Sequence, residues 1–521
     1  MLAWMDTTQI AALLALPFGN FSETLALWAK VRGDAPALRD DHGAISWAEL
    51  ADRIERVAAQ LIETGLQRGQ SVAILGTSSI DYALVFLGAV RAGGVAAPLT
   101  TSASREQLEG MASDAGAQHL FIDAAKRAEL GPDFAAALDH IALESLSEWM
   151  APAGTQAPPF TPEPGDHFNI IYSSGTTGIP KGIVHSHQMR WRQFASTATS
   201  YLEAGLPVRS IASTPLYSNT TMVAFLPPLL AGGMVRIMGK FSAAGWLGHA
   251  AADRSTVTML VPVQYQRLMD EPRFDAFDLS AMALKYCTSA PFSADLKRQV
   301  LARMPGGLIE IYSMTEGGVV CLLPCHEFPD KLHTVGRPAP GSVLKVLDDN
   351  DQPVPPGTPG NLIGLSHTMM AGYKNQPGKT REGYWTDPET GDVWQRMGDI
   401  GRVDDDGFVE LVGRSKDMII SGGFNIFPSD LETELLKETG VAEAAVVGVP
   451  SRKWGETPVG FVRLSDPATS TDAVMAAVNA RLGKTQRLAL LHAIDEMPRS
   501  HIGKLLKSEL RERAEALGGA D

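Results

Sequence analysis

Ser46-Trp47-Ala48-Glu49, the spaced positions Leu50, Ile54, Val57 and Leu61, and the run Val72-Ala73-Ile74-Leu75 set the fold class of this 521-residue chain. Serine followed three residues later by glutamate has the form of a capping box, and the apolar spacing after it predicts an amphipathic helix that Gly65 stops. The apolar run predicts a strand. A second apolar-periodic segment covers Tyr82 to Val90, and Gly93-Gly94-Val95-Ala96-Ala97-Pro98 brings the next strand. Short apolar strands alternating with helices suit a parallel sheet covered on both faces, because a strand buried on both sides loses its polar alternation. The first half is therefore expected to be α/β.

Outward from this stretch, Ile10 to Phe18 is too short to span a bilayer and has no cationic leader, so it reads as a surface helix ending at Pro17-Phe18-Gly19. Ala151 to Asp166, rich in Pro, Gly and Thr, reads as a surface connection between two α/β lobes, with strand signals resuming at Phe168-Asn169-Ile170-Ile171-Tyr172. Alternation continues from Ile211 to Ile311. Beyond Val343, turn signals such as Pro355-Pro356-Gly357-Thr358-Pro359-Gly360 and Asp404-Asp405-Asp406-Gly407 predict a smaller β-rich lobe. A further α+β unit starts near Arg414: Ser429-Asp430-Leu431-Glu432 has the form of another capping box, strands are expected at Ala444 to Val449 and Val459 to Leu464, and helices near Thr471 to Leu482 and Lys504 to Ala516. The expected architecture is α/β: a large N-terminal domain, residues 1–413, of two α/β lobes plus a small β-rich lobe, followed by a small α+β C-terminal domain, residues 414–521.

With 45% hydrophobic and 20% charged residues, the chain has the make-up of a globular protein of more than one unit. Its formal charge of −14 disfavours a nucleic-acid or anionic-membrane surface, so any polyanion must be held locally. Residues 415–521 are close to neutral, with 13 Lys/Arg against 15 Asp/Glu. Three cysteines, Cys287, Cys321 and Cys325, are too few for a disulfide framework and lack metal-ligand spacing, which points to buried thiols in a reducing cytoplasm.

The stretch Tyr172-Ser173-Ser174-Gly175-Thr176-Thr177-Gly178-Ile179-Pro180-Lys181-Gly182 follows an apolar strand and offers hydroxyls, backbone N–H groups and one ammonium, the materials of an anion cradle. A nucleotide polyphosphate is the expected guest. It is not a Walker A loop, since Gly182 stands where a hydroxyl should follow the lysine. His185 and His187 beside it read as ordinary polar neighbours rather than metal ligands.

This segment resembles the phosphate loop of the adenylate-forming superfamily of acyl-CoA synthetases, adenylation domains and luciferases, and four later segments resemble that family's motifs in order. Tyr312-Ser313-Met314-Thr315-Glu316 is similar to Tyr-Gly-x-Thr-Glu with Ser313 for the glycine, and Met397-Gly398-Asp399 to Thr-Gly-Asp with Met397 for the threonine. Gly413-Arg414-Ser415-Lys416-Asp417 with Ile420 to Ile426 resembles the interdomain junction, and Pro498-Arg499-Ser500-His501-Ile502-Gly503-Lys504 the C-terminal lysine motif.

The resemblance implies a mobile C-terminal domain and a set of roles. Ser173, Ser174, Gly175, Thr176, Thr177, Gly178 and Lys181 would bind the phosphates of ATP, with Thr176 also taking part in catalysis. Ser289, Ala290, Pro291 and Tyr312 would form the adenine slot, and Asp399 and Arg414 the ribose grip. Thr315 would meet the α-phosphate, and Glu316 would take part in catalysis and hold Mg2+. Lys504 would act in adenylation, Lys416 as hinge, and Ser421, Gly422, Gly423 and Phe424 would line the path of CoA. Lys504 is expected at the start of a helix whose Lys507 is merely solvated.

Thr214-Pro215-Leu216-Tyr217-Ser218-Asn219-Thr220 resembles the acid-pocket segment Pro-Leu-Phe-His of aryl- and acyl-CoA ligases, with Ser218 at the histidine position. Tyr217, Ser218, Asn219 and Gly317 are the expected acid-pocket residues. Met222, Val223, Phe225 and Tyr265 are candidates either for an apolar pocket wall or for core. No Asp lies between Pro215 and Pro227 to meet an α-ammonium, which makes an amino acid the weaker candidate. The expected activity is a two-step carboxylate–CoA ligase using ATP, Mg2+ and CoA. The alternatives are a stand-alone enzyme loading a carrier protein and a nucleotide-binding regulator without catalysis; luciferase-type oxygenation has no residue-level support. Expected partners are small molecules, with no nucleic acid and no membrane span, and a homodimer is left open.

Overall fold

The computed structural model describes residues 2–172, 180–421, 424–452, 454–483, 486–500 and 503–517. The chain forms two compact units: Met1–Leu332, Ala339–Ser342 and Leu365–Gln395 in the first, and His333–Pro338, Val343–Gly364 and Arg396–Asp521 in the second. The architecture is mixed α/β with a large N-terminal and a small C-terminal domain. Among the described residues no helix is long and apolar enough to cross a membrane.

The stretch that opened the sequence reading folds as it predicts. The Ser46 hydroxyl accepts from the Glu49 N–H at 3.2 Å while the Glu49 carboxylate accepts from the Ser46 N–H at 2.8 Å. This capping box starts the helix Trp47–Glu63, whose buried face is Trp47, Leu50, Ile54, Val57, Ala58 and Leu61. Strand Ser71–Leu75 and helix Ile80–Arg91 follow, the strand buried along its whole length.

That strand lies inside a sheet ordered Gly372–Tyr373, Gly182–Ser186, His167–Tyr172, Val95–Pro98, Ser71–Leu75, Ala117–Ile122, Asp139–Ala142. Its last five members run parallel, and Gly182–Ser186 is antiparallel to both neighbours. A second sheet in the same unit is parallel from Gly307–Met314 through Leu284–Cys287, Val257–Leu260, Arg209–Ala212 and Met234–Ile237 to Pro36–Arg39. Antiparallel strands Gly317–Pro324 and Ala44–Ser46 flank it.

The lobe boundary differs from the expectation. The segment 151–166 does not lead into a second lobe, because the next strand, His167–Tyr172, returns to the sheet of Ser71–Leu75. The chain contributes the early strands Pro36–Arg39 and Ala44–Ser46 to the edge of the other sheet and returns to that sheet after helix His187–Glu203. The N-terminal helix Leu2–Leu14 is the expected surface helix, with Thr8, Gln9, Ala11 and Ala12 exposed, and it is anchored on its other face: Ile10 and Leu14 are core residues, and the Trp191 indole donates to the Leu16 carbonyl at 2.9 Å.

In the second unit, strands Ser342–Leu347, Gly360–Ser366 and Val393–Val403 lie side by side, and Val409–Arg414 pairs with the last of them. A further sheet contains Phe424–Ile426, Ile419–Ser421, Gly455–Leu464 and Val441–Ser451, with Leu490–Ala493 parallel to Gly455–Leu464. One face packs Val446 and Val462 with Leu431, Leu435, Val474 and Val478, and the other packs Val447 and Phe461 with Met497 and Leu510.

The second expected capping box does not form. Helix Pro428–Leu436 begins two residues early at its proline, the Ser429 hydroxyl donates to the Val412 carbonyl, and Glu432 accepts from the Val446 N–H at 2.8 Å. The last helix is Lys507–Ala516, so Lys504 precedes it; Lys507 is not merely solvated but pairs with Glu432 at 2.6 Å.

The hairpin Gly307–Met314/Gly317–Pro324 turns over two residues, Thr315 and Glu316, with Met314 opposite Gly317. Gly317 has φ +89°, and a Cβ there would stand 2.2 Å from the Thr368 carbonyl oxygen. We expect Gly317→Ala to cost about 1–3 kcal/mol in strain and crowding. Thermal unfolding read against wild type checks this; an unchanged midpoint would show that the turn tolerates the side chain.

Candidate active site

In the first unit the turn residue Glu316 is held at two points. The Tyr373 hydroxyl donates to Glu316 Oε1 at 2.9 Å, and the Met370 N–H donates to the Glu316 carbonyl at 2.8 Å. Lys181, at the close of the glycine-rich segment, places its ammonium 4.7 Å from the Tyr373 ring centroid, in cation–π range. Burial, and then the neighbouring Glu316 carboxylate, push the Tyr373 phenol upward, so it stays protonated and donates.

The segment Met370–Asn375 is a clamp. Its Ala371 and Lys374 N–H groups donate to the carbonyls of Val184 and Gly182 at 2.8 and 2.7 Å. Asn375 donates to Asp114, whose carboxylate also accepts from the Tyr172 hydroxyl at 3.0 Å. The strand entering the glycine-rich segment, the strand leaving it and the carboxylate of Glu316 are thus fastened to one short stretch. Ser173, Ser174, Gly175, Thr176, Thr177 and Gly178 lie outside the described residues.

The expected adenine and acid segments meet. The Thr220 and Ser289 hydroxyls share a hydrogen bond, and Ser289 has φ +81°, a left-handed conformation that non-glycine residues adopt mainly where structure imposes it. Ala290, half-buried, and Pro291, exposed, follow Ser289, and Tyr312 is half-buried on strand Gly307–Met314. Ser218 is the N-cap residue of helix Asn219–Leu230, although its side chain makes no capping bond. Tyr217 Oη and Asn219 Oδ1 are buried with no hydrogen-bond partner among the described residues, polar atoms of the kind that bound water or ligand satisfies. Met222, Phe225 and Tyr265 are fully buried; the first two belong to the main hydrophobic core, and Tyr265 donates to the Tyr286 carbonyl at 2.9 Å.

In the second unit Asp399 and Arg414 face each other across an antiparallel pair, and Arg414 Nε donates to Asp399 Oδ1 at 2.8 Å. The neighbouring Gly398 has φ +68°, and Met397 is buried in place of a hydroxyl residue. Lys416 lies in the short 3-10 turn Ser415–Asp417 that leaves this strand. Lys504 sits in a tight turn closed by Ser500, whose N–H donates to the Lys504 carbonyl at 2.8 Å and whose hydroxyl accepts from the Lys504 N–H at 3.2 Å. Burial lowers the Lys504 ammonium to about 8; Arg414 and Lys416 push the same way, while Asp399 and Asp417 oppose them. Five charged side chains therefore share one field. Ser421 is buried and pairs with Phe424 and Gly455; Gly422, Gly423 and the Phe424 side chain lie outside the described residues.

The profile of the AMP-binding enzymes matches residues 25–374, and that of the AMP-binding enzyme C-terminal domain matches residues 430–504. The chain belongs to the AMP-binding enzyme family. Among its relatives, feruloyl-CoA synthase of Amycolatopsis sp is 32% identical over 493 residues, covering 93% of this chain and 97% of that protein. The fatty acid–[acyl-carrier-protein] ligase ScoC of Streptomyces coeruleorubidus is 28% identical, covering 94% and 96%. Among solved structures, ATP-bound MatB from Rhodopseudomonas palustris superposes with a TM-score of 0.84 at 29% identity, covering 95% of this chain and 99% of that one.

Within this family member, sequence reasoning missed Tyr373 and Asp114. Tyr373→Phe removes one hydrogen bond to a carboxylate while keeping the ring under Lys181. Such bonds contribute about 1.5–3 kcal/mol to stability, and we expect a melting temperature lowered by a few degrees together with roughly ten-fold weaker Mg-ATP binding by equilibrium titration. Binding equal to wild type would remove the clamp from the site.

Proposed function

We propose that the chain is an ATP-dependent carboxylate–CoA ligase working in two half-reactions. A carboxylate oxygen of the acid attacks the α-phosphorus of ATP and pyrophosphate leaves. The thiolate of CoA then attacks the acyl carbon and AMP leaves with the bonding electrons. AMP-forming acid–thiol ligation rests on family membership and relatives over nearly the full chain; the residue roles rest on the motifs and on the geometry of each unit.

The observation that carries the reading is Lys504, an ammonium partly buried beside Asp399 and Arg414. In-line attack on phosphorus spreads negative charge over the phosphoryl oxygens, and a preorganised cation stabilises that charge without reorganising solvent. We assign Lys504 to this task, Asp399 and Arg414 to the ribose, and Ser289, Ala290, Pro291 and Tyr312 to the adenine. Ser173, Ser174, Gly175, Thr176, Thr177, Gly178, Lys181 and Thr315 take the phosphates. Glu316 offers one carboxylate, and a single carboxylate beside substrate phosphates is a donor set that suits Mg2+. Bound there, the ion would neutralise phosphate charge. Tyr217, Ser218, Asn219 and Gly317 are assigned to the acid.

With all three cysteines buried, the thiol that accepts the acyl group comes from outside the chain. We assign Ser421, Gly422, Gly423 and Phe424 to the pantetheine arm, set the domain boundary between residues 413 and 414, and make Lys416 the hinge of a mobile C-terminal domain. A carrier protein as acceptor is the second reading, favoured by the carrier-loading relative. The reducing cytoplasm suits the free thiols, and a homodimer is compatible with this assignment.

A panel of carboxylic acids assayed for AMP release with and without CoA tests the activity: CoA-stimulated release supports the ligase, whereas release only with a carrier protein moves the acceptor. Lys504→Ala should lower acid-dependent pyrophosphate exchange about a thousand-fold, the scale of a lost electrostatic contact to the transition state, and leave thiolation of supplied acyl-adenylate largely intact. Equal loss of both would contradict the division of labour.

The ammonium is the active form, so exchange at sub-saturating ATP should fall as pH rises through about 8, the pH at which Lys504 loses its proton. A flat profile to high pH would detach that lysine from the reaction. Lys416→Pro should slow thiolation more than exchange; an unchanged ratio would move the hinge elsewhere.

A further inference from the structure

His185 and Arg190 carry none of these roles, yet together they form a buried polar chain that ends on the Thr315–Glu316 turn. Strand Gly182–Ser186 presents His185, and helix His187–Glu203, capped by the Ser186 hydroxyl, brings Arg190 back to it. Both side chains are 0% exposed. Arg190 Nε donates to Asn169 Oδ1 at 2.9 Å, one Nη to Gln193 Oε1 at 2.7 Å, and the other Nη lies 2.9 Å from His185 Nδ1. Among the described residues no carboxylate pairs with this guanidinium.

The donor inventory settles the tautomer. A guanidinium has only N–H groups, so His185 Nδ1 must be the bare acceptor and the ring proton sits on Nε2. Nε2 lies 2.8 Å from the Thr315 carbonyl oxygen and donates to it. Burial first, and the adjacent Arg190 charge second, hold the imidazole well below its usual pKa, which keeps it neutral. The chain therefore runs one way, from guanidinium through imidazole to carbonyl, and each bond polarises the next.

The two ends of this chain lie on elements that carry the proposed phosphate site. Asn169 is on the strand His167–Tyr172 that leads into the glycine-rich segment, and Thr315 is half of the turn bearing Glu316. The Thr315–Glu316 peptide is trans, so fixing its carbonyl also fixes the direction of the Glu316 N–H. A buried cation without a carboxylate is costly for stability, and an apolar side chain of similar volume would serve packing alone at least as well.

We propose that Arg190, acting through neutral His185, positions the Thr315–Glu316 turn for adenylate formation. Both are positioning residues, and the inference rests on the reading of Thr315 and Glu316 given above. The chain adds a support separate from Tyr373, so that the Thr315 carbonyl and the Glu316 carboxylate are each held by a bond of their own.

The test uses the full chain with His185→Leu, which deletes both bonds, and His185→Gln, whose amide can accept from Arg190 and donate to the Thr315 carbonyl. Losing a buried hydrogen bond to the turn should lower kcat for acid-dependent pyrophosphate exchange by about ten-fold, with CoA-dependent consumption of supplied acyl-adenylate changed less than about two-fold. His185→Gln should recover most of the exchange rate. Arg190→Lys, which keeps the charge but not the planar fork, should reproduce the selective loss if His185→Leu fails to fold.

Parallel loss of both half-reactions, exchange at the wild-type rate in His185→Leu, or no difference between the Leu and Gln variants would each overturn the proposal. Wild-type protein that shows no acid-dependent exchange with any acid sinks the ligase reading itself; wild type that exchanges while His185→Leu is unaffected sinks only this inference.

Discussion

A carboxylate and a polyphosphate repel one another, and a chain with 45 basic against 59 acidic residues offers them no general attraction. Positive charge must be built where it is needed. In the second unit Arg414, Lys416 and Lys504 are gathered within range of Asp399 and Asp417, and the ammonium of Lys504 feels both the crowding of like charge and the loss of water. In the first unit Lys181 rests on an aromatic face instead of a carboxylate, which holds the ammonium in place without cancelling its charge. Each unit thus holds its own cations in place by local contacts.

Much of the fold was legible because its signals are local. Ser46 and Glu49 need only each other to form a capping box, and the helix after them buries the positions its spacing marks. Ser429 and Glu432 have the same spacing and fail. A proline begins that helix first, and more distant partners take both side chains, Val412 the hydroxyl, and Val446 and Lys507 the carboxylate. Local propensity was overruled by tertiary hydrogen bonds. The misplaced lobe boundary has a similar cause: a Pro- and Gly-rich stretch marks a loop, but which sheet the next strand joins depends on residues far away in sequence, here Ala96 opposite Asn169.

The site was legible to the extent that its residues cluster in short segments. Asp399 and Arg414 stand in separate motifs and prove to be cross-strand partners, and Lys504 comes close to both. The supporting residues carried no such mark. Tyr373 reaches Glu316 across 57 positions and His185 reaches the Thr315 carbonyl across 130, and neither pairing follows from periodicity, turn chemistry or composition. Two histidines beside a phosphate loop look alike in sequence. In the fold His185 is hydrogen-bonded at both nitrogens, while His187 packs against Phe160 and Phe168 and burial lowers it to about 4. Met222 and Phe225, equally apt for a pocket wall by composition, went to the core.

Cys287, Cys321 and Cys325 are each 0% exposed, and burial raises every one of these thiols, Cys321 and Cys325 to about 12. Acyl phosphate anhydrides react readily with thiolate sulfur, and a protonated thiol sealed in the interior is a poor nucleophile. An activated acid held by this protein thus meets no sulfur that it could modify by accident. Self-acylation at sulfur is closed off by packing.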